Sequence, residues 1–140
     1  MSNKFSTIQE IFNKAEQIAN EYGWSFVNTS EEERSRNDIY GIELSRTSPC
    51  HQDYHIGVEF TIRPCTTMEE ALTIIGDALW EEADSTDISY ETYIWLDDMG
   101  HGKNGAPFDM KDCYEDMEWC VEQAKEVAGV LSNTKYFTQL

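Results

Sequence analysis

Residue types that can hold a metal ion or act as a nucleophile lie close together at Cys50, His51 and His55. Their spacing is not typical of a structural zinc site, which normally brings two paired sets of ligands, and the best complements, Cys65 and His101, are distant in sequence. We therefore expect a polar hairpin loop, with no metal and no cofactor. A Cys/His nucleophilic pair in this segment is the alternative that would make the protein an enzyme.

A second candidate is the glycine-rich segment 100–105, which carries three polar side chains that could contact a ligand: His101, Lys103 and Asn104. The order of residues differs from that of a phosphate-binding loop, which needs G-x-x-x-x-G-K-[ST] after a strand. The segment precedes a helix N-terminus, which favours anions, but Asp109 and Asp112 in the first turn would repel a phosphate. The pattern favours a structural turn, and a small-ligand or nucleotide-binding function remains the alternative.

Acidic residues far outnumber the candidate metal-binding, nucleophilic and ligand-binding residues described above. These acids are unevenly distributed along the chain. The 140 residues include 27 Asp or Glu and 10 Lys or Arg, which gives a formal net charge of −17. Residues 1–68 hold ten acids and six bases, a net charge of −4, whereas residues 69–140 hold seventeen acids and four bases, a net charge of −13. The acidity therefore belongs mainly to the second half of the chain.

This charge excludes several classes of function. Direct binding of nucleic acid needs Lys and Arg to neutralise phosphates, and an anionic membrane surface would repel the chain for the same reason.

No apolar run approaches the ~18–20 residues that span a bilayer, and no signal-peptide pattern is present, so we expect a cytoplasmic protein with reduced thiols. The chain is 40% hydrophobic and 12% aromatic, which favours a folded domain over disorder.

Four glutamates in the last helix-forming stretch, Glu115, Glu118, Glu122 and Glu126, are spaced three or four residues apart, and Asp112 extends the series. This spacing places them on one helix face, where each like-charge pair at i, i+4 costs about 0.2–0.5 kcal/mol. Only Lys111 and Lys125 are near enough in sequence to relieve the repulsion. Solubility or halotolerance, imitation of a nucleic-acid backbone, and another acidic partner-binding role are the three explanations.

The elements that must position these residues can be read from hydrophobic periodicity. Ser6, with Gln9 three residues later, predicts the start of an amphipathic helix that ends at Gly23. Alternation predicts a short strand over 24–28 and two longer strands over 38–46 and 54–62, which would form an antiparallel meander. The polar stretch 29–37 and the connection 47–53 are predicted to be loops.

The second half of the chain is predicted to be helical. Thr67 and Glu70 form a capping box before a stripe that runs to Ala83, and segment 84–98 fits a short helix slightly better than a strand. A loop over 97–108 leads to Asp109, the predicted cap of the last helix. The apolar stripe of that helix comprises Cys113, Met117, Cys120, Val121, Ala124, Val127, Ala128 and Leu131.

These elements predict a single α+β domain over residues 1–140, in which residues 134–140 would form a flexible tail. An N-terminal helix precedes a three-stranded antiparallel sheet, and two or three further helices pack on one face of that sheet. The cysteine pair at 113 and 120 is expected to supply small core residues on the last helix.

Several short motifs between residues 40 and 131 resemble those of small acidic uncharacterised proteins from gut bacteria, their phages and mobile elements. The matching residues are Ser48-Pro49, Asp53-Tyr54, Glu59, Trp95, Gly102 to Pro107, Asp109, Glu115-Asp116 and Ala128. The resemblance transfers no catalytic residues. It implies the context of an accessory protein on a mobile element, where small acidic proteins often inhibit host nucleases, as anti-restriction and anti-CRISPR proteins do.

The leading hypothesis is therefore a non-enzymatic acidic protein that binds the basic surface of a nucleic-acid-binding protein. The alternatives are the small-ligand protein described above and a plain soluble accessory protein acting through protein contacts. The residues expected to carry binding to a basic partner are Glu115, Glu118, Glu122, Glu126 and Asp112, supported by Glu81, Glu82, Asp84, Asp87, Asp97 and Asp98.

Overall fold

The computed structural model describes residues 6–49, 53–85 and 110–132, with the side chains of residues 110–114 excepted. Four helices and three strands lie within these ranges. In chain order they are α1 (Ile8–Glu21), β1 (Ser25–Asn28), α2 (Glu32–Ser35), β2 (Ile39–Thr47), β3 (Asp53–Thr61), α3 (Met68–Asp84) and α4 (Met110–Ser132). This arrangement confirms the predicted α+β class, with a helix before a three-stranded sheet and helices after it.

The sheet has the strand order β1-β2-β3, and both pairs of neighbours are antiparallel. Side chains such as Ile42, Leu44 and Ile56 are buried on one face, whereas His55 and Glu59 are exposed on the other. This alternation follows from the two-residue period of a strand. Helix α1 lies against β1 and α3 lies against β3, and α4 packs chiefly on α3. One sheet face therefore carries the core, as predicted.

Helix α1 begins one residue later than predicted. Thr7, not Ser6, is the N-cap, because its Oγ1 accepts the backbone N–H of Glu10 at 3.1 Å. The Glu10 carboxylate in turn accepts the N–H of Thr7 at 2.8 Å. An ionised carboxylate is a stronger acceptor for a helix N-terminus than the amide of Gln9, which decides between two overlapping capping boxes. The predicted ending at Gly23 is confirmed by its φ of +87°.

The predicted loop 29–37 contains the one-turn helix α2, so that prediction was wrong. Glu32 in its first turn and Arg36 beyond its last turn form an ion pair of 3.0 Å, four residues apart. Arg34 makes a two-bond ion pair with Glu59 of β3, with its Nη2 at 2.7 Å. Charges that the sequence pattern assigned to a solvated loop therefore hold a helical turn against the edge strand.

Helices α3 and α4 pack as an antiparallel pair. The predicted capping box of Thr67 and Glu70 is present at the start of α3. Near that end, the Thr73 hydroxyl lies 3.4 Å from the carbonyl of Ser132 in the last turn of α4, whereas Asp84 at the far end contacts Lys125. Cys120 is buried, as the cysteine prediction expected, and the side chain of Cys113 lies outside the described residues.

Candidate functional site

The outer face of α4 carries four exposed glutamates, which we call the acidic row: Glu115, Glu118, Glu122 and Glu126. The opposite face of the same helix is buried in the core. Its buried apolar residues are Cys120, Val121, Ala124, Val127, Ala128 and Leu131. A regular helix separates these two sets by half a turn, so the burial of the apolar stripe fixes the direction in which the row points.

The acidic row is straight and long. Eleven residues separate its first and last members, which corresponds to about 16 Å along the helix axis at a rise of about 1.5 Å per residue. Neighbouring members are three or four residues apart and therefore adjacent on the helix surface. Because the row lies on a helix of 23 residues packed along α3, the backbone positions of its four members are fixed relative to one another.

Lys125 is the base of α4 whose side chain is described, and it turns toward α3 rather than toward the row. Its Nζ lies 2.8 Å from Oδ1 of Asp84 and 5.4 Å from the centroid of the Trp80 ring. We call these three residues the α3–α4 seam. Among described large hydrophobic side chains, Trp80 is one of two that are markedly exposed, at 47%. Sequence patterns singled out Lys125 as a base near the glutamates, and they did not indicate its contact with Asp84 and Trp80.

The acids at the end of α3 are also on the surface. Glu81, Glu82 and Asp84 are exposed, and the antiparallel packing brings the end of α3 beside the middle of α4 through the contact with Lys125. Of these three, Asp84 is partly neutralised by that lysine. The structure therefore brings two of the predicted acidic segments onto one pair of helices.

Asp116, which lies within the acidic stretch, is 5% exposed and belongs to the buried side of α4. It follows Glu115 directly, and a helical step of one residue is enough to turn it out of the row. The acids counted in α4 therefore outnumber those that it exposes, and Asp116 is not among the residues predicted to bind a partner.

The remaining predicted site residues lie outside the described part of the chain. They are Asp87, Asp97, Asp98, His101, Lys103, Asn104, Cys50 and His51, together with the side chain of Asp112. The predictions for segments 84–98 (beyond Ser85), 97–108 and 134–140 also concern residues outside the described part, and so does the prediction that Asp109 caps the last helix. Of the candidate metal ligands that are described, His55 lies exposed on β3 and Cys65 is an exposed free thiol. No group of three or more metal-ligating side chains occurs within the ranges described.

The described helices include none that is long and apolar enough to cross a membrane. Searches for similar proteins matched no protein-family model, no curated protein and no solved structure. The functional conclusion therefore depends on the chemistry of the surface.

Proposed function

We propose that this chain is a non-enzymatic binding protein that presents its acidic row to the basic groove of a nucleic-acid-binding protein. The observation that carries the proposal is the exposure of four glutamates in line on one helix face, opposite a buried apolar stripe. A groove that holds the phosphates of a nucleic-acid strand is lined with Lys and Arg, and a fixed line of carboxylates offers it the same charge.

The cost of the row supports this function over solubility alone. Glu118, Glu122 and Glu126 form two like-charge i, i+4 pairs, each unfavourable by about 0.2–0.5 kcal/mol. Lys125, which could relieve them, is held by Asp84 at 2.8 Å. Charge that serves only to keep a protein soluble can be placed anywhere on its surface, and it does not require neighbouring acids on one helix.

The α3–α4 seam adds an apolar contact beside these charges. Exposed tryptophans are enriched among the residues that dominate protein–protein binding energy, and a tryptophan ring also attracts an arginine or lysine placed over it. Trp80 already holds the Lys125 ammonium in this way. An arginine of the partner would contact both Asp84 and the Trp80 ring by displacing the Lys125 ammonium from them.

The class of target follows from the resemblance to mobile-element proteins described above. In that context the target would be a host defence nuclease of the restriction or CRISPR type. Binding of this kind is steered by charge, so it should be rapid at low ionic strength and weaken as salt is added.

The test is inhibition of DNA cleavage by a panel of purified restriction nucleases and CRISPR effectors. We expect the wild-type protein to inhibit at least one of them, and the triple variant E118K/E122K/E126K to lose that inhibition by about a hundredfold or more, since contacts between close charge pairs contribute several kcal/mol. The matched control is E16K/E21K/E33K, which makes the same change of net charge at exposed sites on α1 and α2.

Two results would contradict the proposal. One is equal inhibition by the row variant and the control variant, and the other is inhibition that does not change between low and physiological salt. If the wild-type protein inhibits no member of the panel, an accessory protein whose charge serves solubility becomes the better account.

A further inference from the structure

Strand β1 forms one edge of the sheet, and part of its backbone faces away from the other strands. Just beyond β1, the N–H of Thr29 donates to the carbonyl of Gly41 at 3.0 Å, in continuation of the β1–β2 register. Bonded and non-bonded pairs alternate along an antiparallel ladder. Val27, two residues earlier, therefore bonds to β2, whereas the amides and carbonyls of Phe26 and Asn28 point outward.

The ladder between β2 and β3 is consistent with this assignment. Just beyond β3, the N–H of Ile62 donates to the carbonyl of Asp38 at 2.9 Å. A central strand bonds to its two neighbours through alternate residues, and Asp38 and Gly41 are an odd number of positions apart. The bonds of β2 to β1 and to β3 therefore alternate as a central strand requires.

No described element pairs with the edge of β1. Within the described ranges, the amides and carbonyls of Phe26 and Asn28 take part in no hydrogen bond outside the sheet. Helix α1 covers the face of the sheet instead. The ring of Phe12 has its centroid 6.0 Å from that of Phe26, 6.0 Å from that of Tyr40 and 6.2 Å from that of Phe60, which is one ring on each strand. The helix therefore lies across the sheet and not along this edge.

The edge of β1 is uncharged in a strongly acidic chain. Residues 22–30 contain no Asp, Glu, Lys or Arg, and Val27 on the solvent face is 50% exposed. Edge strands commonly carry charged side chains, which prevent pairing with another chain. The edge at β3 has such charges, because Glu59, Glu81 and Glu82 line a cleft beside it. Of the two edges, β1 is therefore the one that can accept a further strand.

We propose that β1 pairs with β1 of a second copy of this chain, antiparallel and about a two-fold axis at Val27. Phe26 then lies opposite the partner's Asn28, and Asn28 lies opposite the partner's Phe26. Each of these two pairs exchanges two N–H···O=C bonds, so that every outward amide and carbonyl of Phe26 and Asn28 is engaged. The two Val27 side chains meet at the axis, where the Cα atoms are about 4.5 Å apart. Two three-stranded sheets thereby become one continuous sheet.

A second copy fits this edge because the edge is complementary to itself. A two-fold contact places the same patch of both copies together, so a charge on the edge would meet a like charge, and β1 carries none. Only the longer-range repulsion between two chains of net charge −17 opposes the contact, and salt screens that repulsion. Salt should therefore strengthen the dimer, whereas it should weaken the binding of a basic partner. The contact uses no residue of the acidic row, so this inference does not depend on the proposed function.

The test is sedimentation velocity of the full chain over a range of protein concentrations, at low and at high salt. We expect a monomer–dimer equilibrium that tightens by about tenfold or more between about 0.05 M and about 0.5 M salt. Hydrogen exchange followed by NMR supplies a second measurement at the edge itself. Exchange of the amides of Phe26 and Asn28 should slow as the protein concentration rises, and the amide of Val27, which already bonds to β2, should change less.

The variant Asn28→Pro tests the backbone bonds. It removes an outward amide that the ladder to β2 does not use, and proline is tolerated at such edge positions. Dimerisation should weaken by about tenfold or more, because one bond is lost from each chain. The matched control is Asn28→Ala, which loses the same side chain and its hydrogen bond to the amide of Ser30 at 2.9 Å but keeps the outward amide. The control should dimerise as the wild type does.

The variants Val27→Lys and Thr61→Lys test the position of the axis. Both add one positive charge at an exposed strand position, and Thr61 lies on β3 at the opposite edge. Net charge alone predicts tighter dimerisation in both, since each lowers the repulsion between copies. The β1 contact predicts instead that Val27→Lys loses the dimer, because two lysines would face each other at the axis, and that Thr61→Lys keeps it.

Three results would each overturn the proposal. They are a chain that stays monomeric at high salt up to about millimolar concentration, equal dimerisation by Asn28→Pro and Asn28→Ala, and equal dimerisation by Val27→Lys and Thr61→Lys. If circular dichroism shows that Asn28→Pro does not fold, the lysine pair decides the question, because both of its positions are exposed.

Discussion

Gly76 of α3 lies directly against the backbone of α4. A Cβ atom at this position would stand 2.6 Å from the carbonyl oxygen of Ala128 and 2.7 Å from the backbone nitrogen of Ser132, so backbone atoms would have to move. We expect Gly76→Ala to lower the free energy of unfolding by about 1–3 kcal/mol, despite the gain of about 1 kcal/mol in helix propensity. Urea unfolding followed by circular dichroism measures this change.

The matched control is Gly129→Ala on α4. A Cβ atom there would meet nothing within 4 Å, so only the helix propensity changes. We expect the free energy of unfolding to rise by about 0.5–1 kcal/mol. Equal effects at the two glycines would show that α3 and α4 do not pack at the distance described.

The pKa of the Tyr40 phenol predicts how the free energy of unfolding changes with pH in alkaline solution. Burial raises the pKa of the Tyr40 phenol above its usual value of 10.0, and the nearby negative charge of Asp38 raises it further. The folded state therefore favours the neutral phenol, and this contribution to stability is complete below about pH 10 and is lost as pH rises through the folded-state pKa. The variant Tyr40→Phe should lose less stability than the wild type between about pH 9 and about pH 11. Parallel losses in the two proteins would contradict this account.

At the scale of single residues, the sequence could predict exposure better than partnership. The four glutamates of the acidic row follow from helical spacing alone, because a 3.6-residue period assigns each position to a face. The contact of Lys125 with Trp80 could not be predicted in this way. It depends on which neighbouring element lies beside that side of α4, and the period of one helix carries no information about that element.

At the scale of elements, the periodic signals predicted α1, α3, α4 and all three strands to within one or two residues. The exception was α2, whose four residues are too few to show a period and which is held by ion pairs from Arg34 and Arg36. Short helices are marginal without such contacts. The local sequence could not predict α2, because the residue that stabilises it, Glu59, lies on a strand that is distant in sequence.

The start of α1 offers a test at the same scale. Thr7→Ala should lower the free energy of unfolding by about 1 kcal/mol, since the hydroxyl that accepts the N–H of Glu10 is lost. Ser6→Ala should change it by less than about 0.5 kcal/mol, because the described contact of Ser6 is made by its backbone, which donates to Thr66. Thermal unfolding of both variants under one condition decides which residue caps the helix, and a larger effect at Ser6 would reverse our assignment.

At the scale of the whole molecule, the packing of apolar side chains in one core stabilises the fold, whereas repulsion among the negative charges opposes it. The buried stripes of α1, α3 and α4 meet over one sheet face in a single core, and the sequence predicted that core from its apolar periods. The alignment of Ser25, Ser45 and His55 on one sheet face could not be predicted, because these residues become neighbours only through the register of three strands. The total charge of −17 is a property of the sequence, whereas the local density of that charge is set by the fold.

The dependence of thermal stability on salt concentration should show how much of the electrostatic repulsion arises within the acidic row. We compare the row variant E118Q/E122Q/E126Q with the control variant E16Q/E21Q/E33Q, which removes the same number of charges from exposed positions outside the row. At about 10 mM salt the Debye length is about 30 Å, and at 1 M it is about 3 Å, so only the low-salt condition leaves charges within the row unscreened. Glutamine has nearly the same helix propensity as glutamate, which leaves charge as the main difference.

We expect both variants to have a higher thermal midpoint than the wild type at low salt, because each reduces the net negative charge. The row variant should gain more, by about 2–6 °C, because it also removes like-charge pairs of about 0.2–0.5 kcal/mol each. At 1 M salt the three proteins should unfold within about 1 °C of one another. Equal gains in the two variants at low salt would mean that the row carries no local repulsion. The charge of α4 would then be compatible with solubility alone, and the strongest physical argument for a binding role of this face would be lost.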